Sequence, residues 1–439
     1  MADITIRPVK KIEGVIEVPG DKSISHRAVM ISSIAEGTTE VRNFLMGEDC
    51  LCTVNAFKEM GITIAYSPSP MGNGQKIIIE GKGLRGLGKP KRELYLGNSG
   101  TTMRLLLGIL SGQDFECVVT GDESLSKRPM KRVAEPLGLM GAEINPKQNW
   151  KLKELYPPLE VKGKYPLNAI RYKLPIASAQ VKSAILLAGL YANGSTETEE
   201  PSKSRDHTER MLKEFGADIK IQGLKVSVEK SVLKSNGEIF VPGDISSAAF
   251  FMVAALILKS SKVTFKNLGV NPTRTGIIDI LKKMGARIET SNVKNGYFEP
   301  LADVTVYSSD LKGVNIEGAL IPRAIDELPI IMVAAVFAKG TTAIKGAGEL
   351  RVKETDRILS MATNLKKIGA DITAEGDTVT INGGDGPIRG AEVDSFGDHR
   401  TAMSMLIAGL RAEGKTTVLD TDCIKTSFPG FEGLLHKLV

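Results

Sequence analysis

Several features that mark particular protein classes are scarce in this chain. Of its 439 residues only 4 are cysteines and 5% are aromatic. Cysteines this few and scattered exclude a disulfide-stapled fold, and Cys50-x-Cys52 has no second Cys or His pair at zinc spacing. No apolar run is long enough to cross a bilayer, and the first residues lack the charged and apolar regions of a secretory signal. We therefore expect a globular cytoplasmic protein.

The chain also lacks the usual motifs of cofactor chemistry. It has no Walker loop, no Gly-x-Gly-x-x-Gly fingerprint, no metal-ligand cluster and no Ser-His-Asp arrangement. Its net charge of +6 is neither a polybasic run nor interleaved with aromatics, so we expect no nucleic acid and no membrane as partner. A site that gathers cations for a small anionic substrate fits this charge. Its chemistry must use proton transfer and anion stabilisation, with no metal and no cofactor.

What the sequence does contain is an internal repeat. An apolar helix with a polar start, followed by a stop and a strand, recurs at a spacing of about 75 residues. Five of the six copies end in a glycine, which is typical of the position just past a helix C-terminus. The copies span 25–37, 100–112, 180–194, 246–259, 326–340 and 398–414.

A second repeated segment is an amphipathic helix that runs through a glycine into a strand. Complete copies lie at 57–64, 139–144, 212–219, 281–288 and 365–372. The sixth copy is split, because the chain ends in a helical pattern and begins with Ala2-Asp-Ile-Thr, which echoes Ala370-Asp-Ile-Thr. We predict that the N-terminal strand pairs within the same domain as the C-terminal helix.

Two matched breaker segments, Val-Pro-Gly-Asp at 18–21 and at 241–244, enclose three repeats and leave three after them. This predicts an α/β protein of two similar domains, one formed by 21–241 and the other by 1–20 plus 242–439. The helices of the first repeated segment are apolar nearly all round, so each is expected in the centre of its domain. Their polar ends would converge on a cleft between the domains, where we expect the active site.

The densest charge pattern is Arg-Val-Lys-Glu-Thr-Asp-Arg at 351–357. It precedes a helix, and at the helical period Glu354 and Arg357 extend the row that should be apolar. Charges on a buried face need a partner or a ligand; the alternative is a polar first turn in solvent. The apolar row itself consists of Ile358, Met361, Leu365 and Ile368.

Cations also accompany most of the polar helix starts. Ser23 or Ser25 could simply cap the first helix, but capping does not require a Lys or Arg beside it. Arg binds phosphate and carboxylate oxygens with two parallel hydrogen bonds, so these cations suit two separate anionic groups. The set comprises Lys22, Arg27, Arg128, Lys353, Arg357, Arg400 and Lys425.

Asp326 stands at the start of a predicted helix, followed by Glu327-Leu-Pro. One interpretation is a helix cap. The other is a general base in a cationic, partly dry cleft, with Glu354 as the second acid/base group.

With these residues assembled, the chain resembles the 5-enolpyruvylshikimate-3-phosphate (EPSP) synthases, a family of enolpyruvyl transferases. The resemblance covers essentially the full length. It implies two domains, each of three βαβαββ units with buried parallel helices, an inside-out α/β barrel. It rests on the motifs at 20–27, 96–101, 127–129, 351–357 and 398–400.

The resemblance implies transfer of the enolpyruvyl group of phosphoenolpyruvate to the 5-hydroxyl of shikimate 3-phosphate, with release of phosphate and no metal. Asp326 would take the hydroxyl proton, while Glu354 and Lys22 would protonate the methylene carbon and reverse that step. Shikimate 3-phosphate would bind Lys22, Ser23, Arg27, Ser178, Gln180, Arg205, Asp326 and Lys353. Phosphoenolpyruvate would bind Lys22, Asn98, Gly100, Arg128, Gln180, Arg357, Arg400 and Lys425. A monomer is expected, since the site needs only one chain.

Two alternatives remain open at this point. The UDP-N-acetylglucosamine enolpyruvyl transferases share the fold and carry a reactive Cys five residues before an Arg-Pro pair, where this chain has Glu123; we expect Cys117 to be a buried strand thiol instead. A non-enzymatic anion-binding relative should have lost its acid/base residues, which are present here. Response to glyphosate is undecided, since Gly100 matches sensitive members while 204–207 resembles an insensitive branch and Ala179 replaces a frequent Ser.

Overall fold

A computed structural model of the chain describes residues 2–67, 75–147, 154–296, 298–384 and 386–439. The chain divides into two compact units, one formed by Gly20–Val241 and the other by the chain up to Pro19 together with Pro242–Val439. The first limit lies one residue before the boundary expected at the first breaker segment, and the second limit coincides with the one expected at the second segment. No helix within the described ranges is both long enough and apolar enough to span a membrane.

The protein is a mixed α/β structure. Its α-helices are α1 (Lys22–Ser33), α2 (Glu48–Glu59), α3 (Gly100–Ser111), α4 (Glu123–Ser126), α5 (Lys131–Leu139), α6 (Ala179–Gly189), α7 (His207–Glu214), α8 (Ile245–Ile257), α9 (Gly276–Lys283), α10 (Leu320–Ala324), α11 (Leu328–Val336), α12 (Arg357–Lys367), α13 (His399–Gly409) and α14 (Phe431–Leu438). Short 3₁₀ helices span Gly348–Val352 and Thr421–Thr426.

The strands are β1 (Ile4–Ile6), β2 (Glu13–Ile16), β3 (Glu36–Phe44), β4 (Thr63–Ser67), β5 (Gln75–Lys82), β6 (Leu94–Tyr95), β7 (Glu116–Thr120), β8 (Glu143–Pro146), β9 (Leu159–Lys162), β10 (Leu167–Asn168), β11 (Arg171–Lys173), β12 (Ala192–Asn193), β13 (Thr196–Glu199), β14 (Ile219–Gln222), β15 (Lys225–Val228), β16 (Glu238–Phe240), β17 (Lys262–Gly269), β18 (Arg287–Lys294), β19 (Leu301–Tyr307), β20 (Asn315–Ile316), β21 (Gly340–Ile344), β22 (Asp371–Glu375), β23 (Thr378–Gly383), β24 (Glu392–Asp394) and β25 (Thr416–Leu419).

The sheets repeat one pattern. In the sheet β16-β3-β5-β4, strand β3 follows the buried helix α1 and pairs in parallel with the edge strand β16. On its other side β3 pairs antiparallel with β5, which in turn pairs antiparallel with the outer strand β4. The sheets β6-β7-β9-β8, β11-β13-β15-β14, β20-β21-β23-β22 and, reversed, β18-β19-β17-β2 share this order. Two further sheets are the parallel pair β10-β12 and the sheet β1-β25-β24. In the latter the first strand pairs antiparallel with β25, as the split repeat predicts.

Each unit packs apolar helices at its centre. Every residue of α8 and α11 is buried, and in their unit α8, α11 and α13 contact one another. In the Gly20–Val241 unit α3 contacts both α1 and α6. This confirms the burial predicted from their continuous apolar composition.

The glycines of the two repeated segments differ in position. Gly61, Gly141 and Gly369 follow α2, α5 and α12 with φ of +87°, +105° and +94°, a left-handed backbone suited to glycine after a helix. Among the glycines expected just past the first-segment helices, Gly112 is the C-cap of α3, which confirms the expectation there. It was wrong for Gly37, which falls within β3, and for Gly340, which begins β21, because a short turn separates those helices from their strands.

Candidate active site

The most buried cation in the unit that contains Pro242–Val439 is Arg357, the first residue of α12. Its side chain is 1% exposed, and its guanidinium contacts three carboxylates. Nε donates to Asp398 at 2.8 Å, Nη2 to Glu354 at 2.5 Å and Nη1 to Asp326 at 3.3 Å. Burial opposes the charge of Arg357, but the three carboxylates together raise its pKa above the ordinary arginine value.

Helix α12 begins later than the charge pattern predicts. Asp356 is its N-cap and accepts hydrogen bonds from the backbone N–H of Ile358 at 3.1 Å and of Leu359 at 3.0 Å. Glu354 therefore lies before the helix rather than on its face, and half-buried Lys353 ends the preceding 3₁₀ helix. The capping carboxylate explains this start, since it fixes the first free N–H groups of α12.

Asp326 lies in the short turn between α10 and α11, so it is not a helix cap. Its Oδ1 is 3.3 Å from Nη1 of Arg357 and 3.8 Å from Nε of Arg400. Arg400 also donates from Nη1 to the backbone carbonyl of Asp326 at 2.9 Å. The carboxylate is thus held between two guanidinium groups while 16% of its side-chain surface stays exposed.

Asp398 shows how the fold places this cluster. As N-cap of α13 its Oδ1 accepts from the backbone N–H of Arg400 at 2.7 Å and of Thr401 at 3.1 Å. Its Oδ2 accepts from Arg357 at 2.8 Å. One fully buried carboxylate therefore caps a central helix and anchors the guanidinium that contacts Asp326 and Glu354. Lys425, further along the chain, lies in the 3₁₀ helix Thr421–Thr426 and pairs with Asp422 at 2.7 Å.

In the Gly20–Val241 unit, the first helix is capped by Asp21 and not by a serine. Asp21 Oδ1 accepts from the N–H of Ile24 at 2.9 Å, while Ser25 accepts from the N–H of Leu45 at 3.1 Å. Lys22, the first helical residue, forms an ion pair with Asp49 of α2 at 2.6 Å. A cation at a helix N-terminus is opposed by the helix dipole, so Asp49 offsets an unfavourable position.

A second cationic group surrounds the start of α3. Arg128 donates to the backbone carbonyl of Asn98 at 3.1 Å and also to its side-chain oxygen. Asn98 in turn donates to Asp122 at 2.8 Å, and Asp122 caps α4. An added Cβ on Gly100 would lie 3.1 Å from Nη1 of Arg128, which shows how closely the backbone approaches this guanidinium.

Arg104 is a further candidate site residue, which the sequence did not single out. Its Nη1 donates to Gln180 at 2.9 Å, and Nη2 lies 3.3 Å from the carbonyl of Pro129, which follows Arg128. Gln180 also donates to Thr101 at 2.9 Å. Arg104 thus joins the starts of α3 and α6, and the available signal was its position four residues after Gly100, on the same helix face.

The residues assigned to shikimate 3-phosphate in this unit lie on several elements. Arg27 donates to the carbonyl of Ser23 at 2.9 Å, one turn earlier on α1. Ser178 caps α6 and accepts from the N–H of Val181 at 3.4 Å. Arg205 is half-buried and lies in the segment that precedes α7.

His26 connects three helices behind these residues. Its Nδ1 is 2.7 Å from the hydroxyl of Thr53 on α2 and 3.2 Å from that of Thr102 on α3. Burial, reinforced by Lys22 and Arg27, holds the pKa of His26 well below its ordinary value. The imidazole is therefore neutral and supports the starts of α1 and α3.

Three of the four thiols are unsuited to nucleophilic chemistry. Cys117 lies half-buried in β7, and burial raises its pKa to about 12. Burial also raises the pKa of Cys52 to about 11 and that of Cys423 to about 12. At neutral pH these groups are protonated, and the thiolate is the reactive form.

Together these groups place cations and carboxylates side by side at helix starts of a mixed α/β fold, an arrangement typical of enzymes that act on anionic substrates. The family model of EPSP synthase (3-phosphoshikimate 1-carboxyvinyltransferase) matches residues 6–435. The chain belongs to the EPSP synthase family.

Relatives of known name cover the whole chain. A 3-phosphoshikimate 1-carboxyvinyltransferase of Geotalea uraniireducens (strain Rf4) is 54% identical over 439 residues, which is 100% of each chain. One of Thermoanaerobacter sp. (strain X514) is 50% identical over 429 residues, 98% of each chain. A solved EPSP synthase structure from Acinetobacter baumannii has a TM-score of 0.86 and 48% identity, and covers 99% of this chain and 98% of that one.

Proposed function

We propose that the chain transfers the enolpyruvyl group of phosphoenolpyruvate to the 5-hydroxyl of shikimate 3-phosphate and releases phosphate. The observation that carries this proposal is the Arg357 cluster, in which Asp326 and Glu354 share one buried guanidinium at 3.3 and 2.5 Å. Two carboxylates held side by side supply a base and an acid for addition to a double bond. Family membership supports the choice of substrates.

The substrate assignments are part of the same proposal. Shikimate 3-phosphate binds Lys22, Ser23, Arg27, Ser178, Gln180, Arg205, Asp326 and Lys353. Phosphoenolpyruvate binds Lys22, Asn98, Gly100, Arg128, Gln180, Arg357, Arg400 and Lys425. Both substrates are anions that repel each other, and these cations offset that repulsion while they orient the reacting atoms.

The chemistry proceeds by addition and elimination. Asp326 takes the proton of the 5-hydroxyl as that oxygen bonds to C2 of phosphoenolpyruvate, and Glu354, with Lys22, protonates C3. The product of addition is a tetrahedral ketal that still carries the phosphate. Loss of a proton from C3 then restores the double bond as the C2–O bond to phosphate breaks.

Arg357 has a special place in this scheme, because its guanidinium already contacts three carboxylates. These contacts use three of the five guanidinium N–H groups, so a substrate oxyanion that approaches Arg357 from the side of one carboxylate competes with that carboxylate for the guanidinium. Asp398 is the least exchangeable of the three, since it is fully buried and also caps α13. Binding of phosphoenolpyruvate would therefore release Glu354 or Asp326 from its ion pair and raise its basicity at the moment when a proton must move.

Two further parts of the proposal concern architecture. The sheet order and the central helices support two domains of three βαβαββ units each, arranged as inside-out α/β barrels. All assigned residues belong to one chain, which supports an active monomer. Specific activity that stays constant on dilution would support the monomer, and a loss of activity below a threshold concentration would contradict it.

The function is tested by phosphate release from phosphoenolpyruvate with either shikimate 3-phosphate or UDP-N-acetylglucosamine as acceptor. We expect release only with shikimate 3-phosphate. Glu123, where the nucleotide-sugar family carries its reactive Cys, is exposed and pairs with Lys127 at 2.6 Å. Release only with the nucleotide sugar, or with neither acceptor, would contradict the proposal.

A further inference from the structure

A buried ion cluster lies behind the anion-binding residues of the Gly20–Val241 unit. Lys182 on α6 is 2.7 Å from Glu200 Oε2 and 2.7 Å from Glu209 Oε1. The three side chains are only 2%, 3% and 1% exposed. Burial opposes the charge of Lys182, yet Glu209 and Glu200 raise its pKa above the ordinary lysine value, so the ammonium group is charged.

Stability alone is a weak explanation for such a cluster. Removing three charges from water is costly, and well-packed apolar side chains of similar size are often as stable or more stable. Buried ion pairs are better explained where they fix a particular geometry. The neighbours of this cluster show which geometry it fixes.

One arm of the cluster holds Arg205. Glu200 accepts hydrogen bonds from the hydroxyl of Ser204 and from its backbone N–H, the latter at 3.4 Å. Ser204 directly precedes Arg205, and Glu209 lies in the first turn of α7, just after it. The segment that carries Arg205 is thus tied at both ends to the single ammonium group of Lys182.

The other arm holds Arg27. Its Nε donates to Thr208 at 2.7 Å and its Nη2 donates to Ser183 at 3.0 Å. Thr208 also donates to Ser183 at 2.7 Å. Ser183 and Thr208 are the chain neighbours of Lys182 and Glu209. The ion pair that sets the distance between α6 and α7 therefore also sets the two hydroxyls that orient Arg27.

We infer that Lys182, Glu200 and Glu209 form a positioning cluster that holds Arg27 and Arg205 for the phosphate-bearing acceptor substrate. The inference rests on the proposed function, which assigns both arginines to shikimate 3-phosphate. The cluster does not touch substrate and acts through the two arginines.

The cluster should act selectively on one substrate. Asn98, Gly100 and Arg128, which are assigned to phosphoenolpyruvate, contact one another around the start of α3 instead. Loss of the cluster should therefore weaken binding of shikimate 3-phosphate more than binding of phosphoenolpyruvate. A merely structural role would reduce the amount of active enzyme and leave both KM values unchanged.

The test is a neutral cluster, made by combining Lys182→Met with Glu200→Gln and Glu209→Gln, because Lys182→Met alone would leave two buried carboxylates unbalanced. We expect KM for shikimate 3-phosphate to rise about tenfold, since members of one ion-pair network couple by roughly twofold to hundredfold in an equilibrium constant. KM for phosphoenolpyruvate should change by less than about twofold, the lower limit of that same coupling range.

A matched control is Leu187→Ala, which removes a fully buried side chain from the same helix beyond the cluster. It should lower Tm and leave both KM values at the wild-type level. Glu200→Gln is a milder second variant that keeps the Lys182–Glu209 pair. If the triple variant does not fold, the two KM values of Glu200→Gln are compared with wild type by the same criteria.

An unchanged KM for shikimate 3-phosphate, an equal rise in both KM values, or a selective rise in the Leu187→Ala control would overturn the inference. If the wild-type protein releases phosphate with shikimate 3-phosphate and the variants have the same KM values as wild type, only the inference fails. If the wild-type protein releases no phosphate with shikimate 3-phosphate, the proposed function fails and the inference fails with it.

Discussion

Replacement of Asp326 by Asn tests the general base with little change of shape. The amide can keep the contacts of the side chain with Arg357 and Arg400, and the backbone carbonyl still accepts from Arg400 at 2.9 Å. What Asn lacks is the ability to take a proton. General-base catalysis contributes about 10²- to 10⁴-fold, or about 2.7 to 5.5 kcal/mol of barrier. We expect kcat to fall by that factor, with both KM values within about threefold of wild type.

The effect on folding should be small by comparison. Arg357 keeps Asp398 at 2.8 Å and Glu354 at 2.5 Å in the variant. The contact that weakens is the longest of the three, at 3.3 Å. We therefore expect the free energy of unfolding to change by about 1 kcal/mol, which calorimetry would check on the same sample used for the phosphate-release assay.

The matched control is the neighbouring carboxylate, replaced as Glu327→Gln. Glu327 is 1% exposed, accepts from the hydroxyl of Ser246 and lies 3.9 Å from Arg274. Loss of its charge should lower stability by about 1–3 kcal/mol, because it weakens a buried charged contact. It should leave kcat nearly unchanged. If Asp326→Asn keeps kcat within tenfold of wild type, or if both variants lose kcat equally, the general-base assignment is wrong.

Three further predictions follow from single contacts. Gly100→Ala places a methyl group 2.8 Å from Nη1 of Arg104 and 3.1 Å from Nη1 of Arg128. Because both guanidinium groups are ends of flexible side chains, Tm should stay unchanged while KM for phosphoenolpyruvate rises. An unchanged KM would refute this prediction. Because the pKa of His26 is lowered in the folded protein, the unfolded chain binds a proton that the folded protein does not bind. The free energy of unfolding should therefore decrease as pH falls below about 6.5, by up to about 1.4 kcal/mol per pH unit. Urea unfolding of His26→Asn at pH 5 and 7 should lack that part of the pH dependence. Asp356→Ala removes the cap of α12 and should cost about 0.5–2 kcal/mol, measured by the same unfolding curves; an unchanged stability would show that other contacts fix the helix start.

Much of the fold was accessible from the sequence, because each repeat carries its own local signals. The buried row Ile358, Met361 and Leu365 has the predicted period, and all three side chains are 1% exposed or less. Helix starts were less accessible. Which polar residue becomes the cap depends on tertiary contacts, so the sequence left a Ser at the start of α1 as cap where Asp21 is used.

The candidate site was predicted from the sequence as a set of residues but not as a set of contacts. The pattern at 351–357 showed that Glu354 and Arg357 need partners, yet nothing local indicates Asp398, 41 residues away. Arg104 and Lys182 were not identified from the sequence for a similar reason, since each looks like an ordinary helical cation until its partner on another element is known. Spacing along one helix predicts a shared face, whereas partners across helices require the fold.

The charged residues at the helix starts fall into two groups, the acceptors that cap the helices and the cations that the fold itself does not require. A cap requires an acceptor, and Asp21, Asp356 and Asp398 supply it for α1, α12 and α13. A cation in the first turn is disfavoured by the helix dipole, typically by about 0.3–1 kcal/mol.

Each of these three helices nevertheless carries a cation in its first turn, and carboxylates from elsewhere in the same unit offset its charge. Asp49 pairs with Lys22, Asp326 lies near Arg400, and three carboxylates contact Arg357. Folding alone would favour uncharged residues at these positions. The proposed function accounts for these cations, because anionic substrates that arrive from solution can replace exchangeable carboxylates beside them.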